Sequence, residues 1–381
     1  MNTEIVNIWH RPATIEQNNF AYKSLSNWSM NIAVGCGHGC RFCYVPEVST
    51  KKQAEPLREY GVKDPDAEWG QYVLLRSWDA DKFYASLDTA KNTPKKDLKL
   101  DGNRAVIYCS TTDPYQVFRT SKELTGRAEQ LVRNSLEIIR DHSDLNVRIL
   151  TRGPLAKEHF GLFKSFGDRL LFGMSLPTLN DKLCKVYEPN APGPNARLKT
   201  LQLAKDAGLN VYVAMAPTYP ECDEQDLRTT LTAIKGVKPL TVFHEPINIR
   251  AENVARIEEH AEEIGQKMNT AVFADKVTWR SYALKQLFQV QTIAGEVGLE
   301  NCLHLWPDSE LKNPKWFKQV LEQVQKDAKG TAITDSQSYY DKHYLPWLKG
   351  WWSRISEWPG KPRQKNWKIP KVPVDLRNHL S

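Results

Sequence analysis

Short apolar runs alternate with helical patterns along most of the chain. The apolar runs predict strands over residues 31–34, 105–110, 147–150, 170–175, 211–216 and 240–244. Apolar residues at helical spacing predict helices over residues 123–141, 195–207, 251–268 and 277–298. Strands that alternate with helices favour a parallel sheet with right-handed crossover connections. The pattern therefore predicts an α/β protein built on a partial (β/α)6, TIM-like barrel.

Three parts of the chain do not follow this pattern. We expect residues 1–30 to form an N-terminal extension, 31–270 the barrel and 271–381 a C-terminal extension. The charged segment 48–101 has little periodicity, which predicts an insertion after the first strand, with helical parts near 80–92.

Polar side chains of several chemical types follow the predicted strands. Cys36, Asp113, Arg152, Ser175 and Glu245 come after the first, second, third, fourth and sixth strand, respectively. In parallel barrels the reactive groups lie at the C-terminal ends of the strands. We therefore expect these five side chains to face one common site.

Three cysteines, Cys36, Cys40 and Cys43, stand at C-x3-C-x2-C spacing in a glycine-rich stretch. Three thiolates that close can bind three irons of a cubane [4Fe–4S] cluster and leave the fourth iron open for chemistry. Gly37 and Gly39 between them permit the backbone conformations that a short loop needs to wrap a bulky cluster. The spacing predicts an iron–sulfur site.

Two other interpretations of the three cysteines stay open. A structural zinc site usually has four ligands in two pairs, and His38 would have to be the fourth ligand from an unusual position between the first two cysteines. Alternatively the thiols bind no metal. A disulfide among them is not expected in a chain without a secretory signal.

Composition limits the class of protein further. The chain has 381 residues, 41% of them hydrophobic, which is enough for a large core. No apolar run reaches the length of about 18 residues that a transmembrane helix needs, so no membrane association is expected. Seven cysteines without a disulfide-rich pattern suit the reducing cytoplasm. The sequence carries no signal of oligomeric state.

The net charge of +7 is concentrated at the end of the chain. Residues 342–381 carry nine Lys and Arg against two Asp and Glu, and the rest of the chain is neutral. This tail also holds five of the twelve tryptophans: Trp347, Trp351, Trp352, Trp358 and Trp367. Basic and aromatic side chains together could bind nucleic acid. The alternative is a C-terminal extension whose tryptophans pack on the barrel while its charges stay solvated.

The cysteine stretch resembles the signature of the radical S-adenosylmethionine (SAM) superfamily, with Phe42 at the aromatic position before the third cysteine. Further motifs resemble the spore photoproduct lyase-like branch of that superfamily, in the same order along the chain. They are residues 110–116, 149–154, 175–181, 188–197 and 216–220. The matches cover roughly residues 30–230 and imply a barrel of the radical SAM type.

The resemblance implies two cofactors, a [4Fe–4S] cluster on Cys36, Cys40 and Cys43 and a SAM molecule that chelates the open iron. Reductive cleavage of SAM then gives a 5′-deoxyadenosyl radical that takes a hydrogen atom from the substrate. An external electron donor such as flavodoxin or ferredoxin is implied as a partner.

The leading substrate hypothesis is a nucleic acid or nucleotide-like molecule, carried over from the photoproduct lyases. A rival hypothesis is a radical SAM enzyme that modifies a peptide or a small metabolite, because one fold supports many chemistries. A hypothesis from another class is a zinc-containing, nucleic-acid-binding protein without catalysis.

The motifs also suggest which side chains hold SAM. Arg152 could clamp its carboxylate by paired hydrogen bonds, and Ser175 could bond the carboxylate or the ribose. Asp113 and Thr112 could face its ammonium group or the substrate, and aromatic side chains could flank the adenine. The predicted cofactor-binding residues are Phe42, Tyr44, Thr112, Asp113, Arg152, Ser175 and Arg197.

Three of these residues also have a structural interpretation. Asp113 precedes a proline, where an aspartate favours a turn whether or not a ligand is near. Arg152 could pair with a carboxylate at a strand end. Arg197 could pair with Glu188 and fix a loop.

Two residues are candidates for returning a hydrogen atom to the product radical, as a cysteine near the strand-two motif does in photoproduct lyases. Cys109 lies four residues before Asp113, but strand alternation would point it to the opposite face. A buried cysteine is also commonly a small core residue. Tyr115 is the rival donor.

Overall fold

Eleven strands and twelve α-helices make up the computed structural model. It describes residues 4–18, 20, 23, 25–249, 252–326, 333–360, 364, 366–373 and 376. The strands are β1 (Ile5–Pro12), β2 (Ile15–Gln17), β3 (Trp28–Met30), β4 (Ala33–Gly35), β5 (Tyr72–Ser77), β6 (Ala105–Tyr108), β7 (Asn146–Thr151), β8 (Leu170–Ser175), β9 (Val211–Thr218), β10 (Thr241–Pro246) and β11 (Leu303–Leu305).

The helices follow the strands along the chain. They are α1 (Ala54–Glu59), α2 (Ala80–Lys91), α3 (Lys122–His142), α4 (Phe160–Ser165), α5 (Asp181–Tyr187), α6 (Pro194–Asp206), α7 (Glu224–Val237), α8 (Asn253–Glu263), α9 (Lys276–Glu296), α10 (Pro314–Lys326), α11 (Ser336–Tyr339) and α12 (Leu345–Trp352). The predicted helix over 251–268 is shorter than expected, because Gly265 follows with a φ of +65° that ends the helical path.

Eight strands form the main sheet in the order β2-β3-β6-β7-β8-β9-β10-β11. All neighbours from β3 to β11 are parallel, and β2 alone runs antiparallel, against β3. The predicted parallel α/β sheet is confirmed, with β11 as a seventh parallel strand that no sequence pattern indicated. In the described part of the chain the hydrogen bonding leaves the sheet open, with β2 and β11 at its edges.

The predicted first strand, residues 31–34, corresponds to β4, and the first parallel strand of the main sheet is instead β3, which lies within the predicted extension 1–30. The parallel sheet takes β3, which ends at Met30, while β4 joins a separate sheet of order β1-β5-β4. Asn31 stands between them, and its side-chain oxygen accepts a hydrogen bond from the Thr111 amide at 2.9 Å. The chain leaves one sheet and enters the other between Met30 and Ala33.

Two strands of the small sheet come from regions that were predicted to be an extension and an insertion. β1 lies within the predicted extension 1–30, and β5 lies within the predicted insertion 48–101. They pair in parallel, and β4 pairs antiparallel to β5. The segment that leads into the three cysteines is therefore a strand of this second sheet.

The tryptophans of the C-terminal segment lie against the body of the protein. Trp347, Trp351 and Trp358 are buried. The Trp347 indole donates to Gln291 of α9 at 2.9 Å, and the Trp358 indole donates to the Asp168 carbonyl at 2.7 Å. In the described part of the tail, these tryptophans thus pack on the body of the protein, which is the second of the two interpretations of the tail. Residues 361–363, 365, 374–375 and 377–381 of the tail lie outside the described residues.

Among the described residues, no helix combines the length and the apolar character needed to cross a bilayer.

Candidate active site

A cavity of about 380 Å³ opens where the strands of the main sheet end. It is lined by the side chains that follow β4, β6, β7, β8 and β10, as expected for a parallel sheet. Ten of the twelve predicted site residues line it: Cys36, Cys40, Phe42, Cys43, Tyr44, Cys109, Thr112, Asp113, Arg152 and Ser175. Tyr115 and Arg197 do not.

The cysteine loop has a backbone fixed by close approach to a second segment. Gly39 has a φ of +58°, and a Cβ on Gly70, whose φ is +92°, would lie 2.6 Å from the Gly39 Cα. Only glycine at position 70 leaves room for this contact. On its other side the loop bonds the last residue of α5, since the Arg41 amide donates to the Tyr187 carbonyl at 2.9 Å.

The three thiols are free, and all of them face the same cavity. Burial raises the pKa of Cys40 to about 12 and raises the pKa of Cys36 and Cys43 above the usual thiol value. Without a metal these thiols are neutral at pH 7, and a bound metal would deprotonate them.

The donor set fits a cubane cluster. In such a cluster each thiolate binds a different iron, so three cysteines of one loop around one cavity are the arrangement it requires. Within the described residues, no three His, Cys, Asp or Glu side chains are grouped as ligands of a single metal ion. His38, the candidate fourth zinc ligand, has its Nε2 atom 3.3 Å from Asp113 Oδ2.

Residues that follow β6 form hydrogen bonds with the backbone at the cysteine loop. The Thr112 hydroxyl donates to the Gly35 carbonyl at 2.6 Å and accepts from the Gln116 amide nitrogen at 2.6 Å. The Gln116 amide oxygen in turn accepts from the Gly37 N–H at 2.7 Å. Thr112 is therefore engaged in holding the loop. Gln116 was missed as a site residue, although it lies in the 110–116 motif.

Asp113 is buried and accepts hydrogen bonds on both carboxylate oxygens. Thr151 Oγ1 donates at 2.6 Å, the Arg152 amide at 2.7 Å and the Tyr115 amide at 2.8 Å. Burial alone would raise the pKa of Asp113, but the His38 side chain and these hydrogen bonds outweigh it and hold that pKa at about 2. Asp113 thus both forms the predicted turn and presents a negative charge to the cavity.

Arg152 and Arg197 share the carboxylate of Glu188. Arg152 Nε donates to one oxygen at 2.7 Å, and Arg197 Nη2 donates to the other. The Glu188 side chain is fully buried, which by itself would raise its pKa, but the two guanidinium groups lower that pKa to about 2. Arg152 still faces the cavity, with its Cζ atom 5.7 Å from the centre of the Phe42 ring.

Arg197, a predicted cofactor-binding residue, lies outside the cavity. Besides Glu188, its Nε donates to the Pro192 carbonyl at 2.7 Å and its Nη1 to the Ser175 carbonyl at 3.2 Å. All three nitrogens of the guanidinium are therefore used within the protein, and the side chain is fully buried outside the cavity. Arg197 fixes the loop after Glu188, which is its structural interpretation.

Tyr115, the rival candidate for the hydrogen-atom donor, also lies outside the cavity. Its hydroxyl lies 2.8 Å from His159 Nδ1, and its ring packs against Phe163 in the core. Cys109, in contrast, lines the cavity together with Ile107, two residues earlier. Alternation along the strand places these two residues on the same face, so the expectation that Cys109 points away was wrong.

The remaining predicted residues lie around the cavity wall. Ser175, the last residue of β8, donates to the Ala216 carbonyl at 3.3 Å, and Tyr44 donates to the Ser110 carbonyl at 2.7 Å. Phe42 lies between Arg152 and Tyr219, whose ring centre is 5.8 Å away.

Lys23 and Trp306 are among the lining residues that sequence reasoning missed. Lys23 bonds Glu245 at 2.5 Å and lies 5.1 Å from the centre of the Trp306 ring, and all three side chains line the cavity. Glu245 was expected there from its position after a strand. Trp306 could not be expected, because no periodicity marked β11, and Lys23 lies in no recognisable element.

Two relatives of known sequence are similar to the chain. ORF301 of Acidianus two-tailed virus, an uncharacterized protein, is 30% identical over 264 residues, which cover 65% of this chain and 79% of the viral protein. The uncharacterized protein MJ0683 of Methanocaldococcus jannaschii is 24% identical over 260 residues, which cover 68% of this chain and 83% of that protein. No family model matches the chain.

Solved structures of spore photoproduct lyase are similar in fold. The enzyme complexed with dinucleoside spore photoproduct gives a TM-score of 0.54 at 12% identity, over 79% of this chain and 80% of that one. A mutant with bound AdoMet and the same dinucleoside gives a TM-score of 0.53 at 13% identity over the same shares.

Proposed function

We propose that the chain, which belongs to the family of the viral protein ORF301 and is similar in fold to spore photoproduct lyase, is a radical SAM enzyme. The observation that carries the proposal is the convergence of Cys36, Cys40 and Cys43 on one cavity with Arg152 and Asp113. The thiols would hold a [4Fe–4S] cluster, and the two charged side chains match the carboxylate and ammonium groups of SAM.

The cavity residues have separate tasks in this proposal. The cluster and SAM, when bound, supply a 5′-deoxyadenosyl radical. Arg152, kept in place by Glu188, presents guanidinium N–H groups to the SAM carboxylate, which is the geometry that paired hydrogen bonds need. Asp113 stays ionised at neutral pH and can accept from the SAM ammonium. Phe42 and Tyr44 offer aromatic surface to the adenine, and Ser175 offers a hydroxyl.

We propose a nucleotide-like substrate. Spore photoproduct lyase, the similar solved structure, binds a dinucleoside. In this chain the wall formed by Lys23, Glu245 and Trp306 combines an aromatic face with charged groups, which suits a planar, polar ring. A reductant such as flavodoxin or ferredoxin would deliver the electron, and the free thiols fit the reducing cytoplasm.

Cys109 is the candidate hydrogen-atom donor to the product radical. It lines the cavity, and a buried thiol supplies a hydrogen atom without needing to ionise. We expect Cys109→Ala to cleave SAM normally but to lose most of the final product, whereas Cys184→Ala, a buried cysteine outside the cavity, should keep both. Equal product yield from the two variants would remove the donor role.

The decisive experiment is anaerobic reconstitution with iron and sulfide, followed by reduction with dithionite in the presence of SAM. We expect cluster absorbance and formation of 5′-deoxyadenosine, and loss of both when Cys36, Cys40 and Cys43 are changed to Ala. The matched control changes Cys184, Cys222 and Cys302 to Ala, which removes as many thiols elsewhere and should keep both signals. SAM cleavage without the first three cysteines, or zinc in place of iron after anaerobic purification, would refute the proposal.

A further inference from the structure

Arg256 contacts the cysteine loop although it lies 213 residues further along the chain. Its Nη2 donates to the Cys43 carbonyl at 3.0 Å, and its Nε donates to the Arg41 carbonyl at 3.2 Å. The side chain comes from α8, and 95% of its surface is buried. A cation is thus held within the protein directly beside the third cysteine.

Asp66 lies on the far side of this guanidinium. Its Oδ1 pairs with Arg256 Nη1, and the Asp66 side chain is about one-fifth exposed. Asp66 is fixed in a turn, where its amide donates to Asp64 Oδ1 at 2.9 Å and its carbonyl accepts from the Trp69 amide at 3.1 Å. Within this pair, the cation of Arg256 therefore contacts the Cys43 backbone directly, whereas the carboxylate of Asp66 contacts Arg256.

The charges of Arg256 and Asp66 would change the reduction potential of a redox group bound to the three thiols. Interactions between charges are stronger in a partly desolvated protein than in water, and they fall with distance. One-electron reduction adds negative charge to a cluster, so a nearby cation favours the reduced state and a nearby anion opposes it. Other charged groups that act on the loop include Arg41, Arg152, Arg197, Glu188, Asp113, Glu259 and Glu263. None of them is substituted when the Arg256–Asp66 pair is altered.

We propose that the Arg256–Asp66 pair is a positioning device for the cluster loop that also sets the reduction potential of the bound cluster, with Arg256 raising the potential and Asp66 lowering it. This inference rests on the proposed function, since it requires a cluster on Cys36, Cys40 and Cys43. Arg256 touches no reacting atom. It acts by holding the carbonyls of Arg41 and Cys43 and by its charge.

The test is a redox titration of the reconstituted protein, followed by electron paramagnetic resonance of the reduced cluster. At a fixed solution potential, Arg256→Gln should lower the ratio of reduced to oxidised cluster about tenfold, which corresponds to about 59 mV for one electron. Asp66→Asn keeps an oxygen acceptor for Arg256 but removes the negative charge, so it should raise the ratio, by a smaller factor because Asp66 lies farther from the thiols. Arg256→Lys keeps the charge and should stay within about threefold of wild type.

The opposite changes in the ratio that are predicted for Arg256→Gln and Asp66→Asn distinguish an electrostatic role from a purely structural one. If the pair only braces the loop, both neutral variants loosen it and shift the ratio in the same direction, and this result would overturn the inference. The control is Arg104→Gln, which breaks the Arg104–Asp144 pair at the start of β6 and should leave the ratio unchanged.

The iron content and the signal amplitude of each protein are measured before the titration. A wild-type protein that takes up no iron refutes the proposed function and this inference with it. If the wild-type protein binds the cluster but Asp66→Asn does not change the ratio of reduced to oxidised cluster, this inference is overturned while the proposed function stands. If Arg256→Gln does not fold, the increase predicted for Asp66→Asn and the ratio close to wild type predicted for Arg256→Lys still decide the matter.

Discussion

Glu188 holds two arginine side chains in a place that excludes water. Its carboxylate and the Arg197 side chain are fully buried, and Arg152 is largely buried. Taking three charges out of water is costly, and the arrangement is stable only while each charge keeps its partner. At the scale of single residues, the cavity therefore depends on a carboxylate that does not itself line it.

We expect Glu188→Gln to destabilise the protein by about 3–5 kcal/mol, because it leaves two buried guanidinium groups without a countercharge. Urea unfolding of the metal-free protein measures this. The matched control is Glu47→Gln, since Glu47 pairs with Lys51 at 3.0 Å on the exposed surface and should contribute less than about 0.5 kcal/mol. Equal unfolding midpoints for the two variants would show that the buried pairs do not stabilise the fold.

The cysteine loop is supported by elements from four distant parts of the chain. Gln116 after β6 bonds Gly37, and a Cβ on Gly37 would lie 2.9 Å from Oε1 of Glu4, which precedes β1. Gly70 approaches Gly39 before β5, and Arg256 of α8 bonds the end of the loop. At the scale of elements, the loop is preformed by its neighbours, so a cluster would meet thiols that are already held in place.

Gly70→Ala should abolish most of the cluster binding, because a Cβ at this position would lie 2.6 Å from the Gly39 backbone and push the loop away. The control is Gly167→Ala, which has a φ of +58° but no atom within 4 Å of the new Cβ. It should cost about 1–2 kcal/mol of backbone strain and leave cluster binding intact. Iron and sulfide per chain after reconstitution, together with thermal unfolding, report the two effects. Normal iron content in Gly70→Ala would contradict this account.

The C-terminal segment completes the core of the whole molecule. Trp358 packs in one cluster with Ile107, Leu171, Tyr212 and Phe243, which come from four strands of the main sheet. It also lies 5.0 Å from the guanidinium of Arg148, a fully buried side chain of β7. The tail therefore stabilises the sheet, in addition to any role of its basic charges.

Trp347→Ala should destabilise the protein by about 3–5 kcal/mol, because the indole is 98% buried against Phe288 and bonds Gln291. Lys349→Ala, an exposed basic residue of the same helix, should change the stability by no more than about 0.5 kcal/mol. Chemical denaturation of both variants gives the comparison. A larger effect from Lys349 than from Trp347 would mean that the charge of the tail, and not its packing, holds it in place.

The sequence by itself determined the parallel α/β sheet and the cysteine loop. Periodicity sets which face of a helix or strand is buried, and the C-x3-C-x2-C spacing keeps three thiols close in any compact loop, because both are local properties of the chain. The placement of Asp113, Arg152 and Ser175 at the cavity also followed, since parallel strands end on the same side of a sheet.

Only the tertiary structure decided which of the candidate residues face the cavity. Arg152 and Arg197 were both predicted to bind the cofactor, yet packing turns one toward the cavity and buries the other against Glu188, Pro192 and Ser175. The supports of the loop are likewise contacts across 79 residues for Gln116 and 213 residues for Arg256. Such contacts are selected by the packing of whole elements, and no local pattern of residues encodes them.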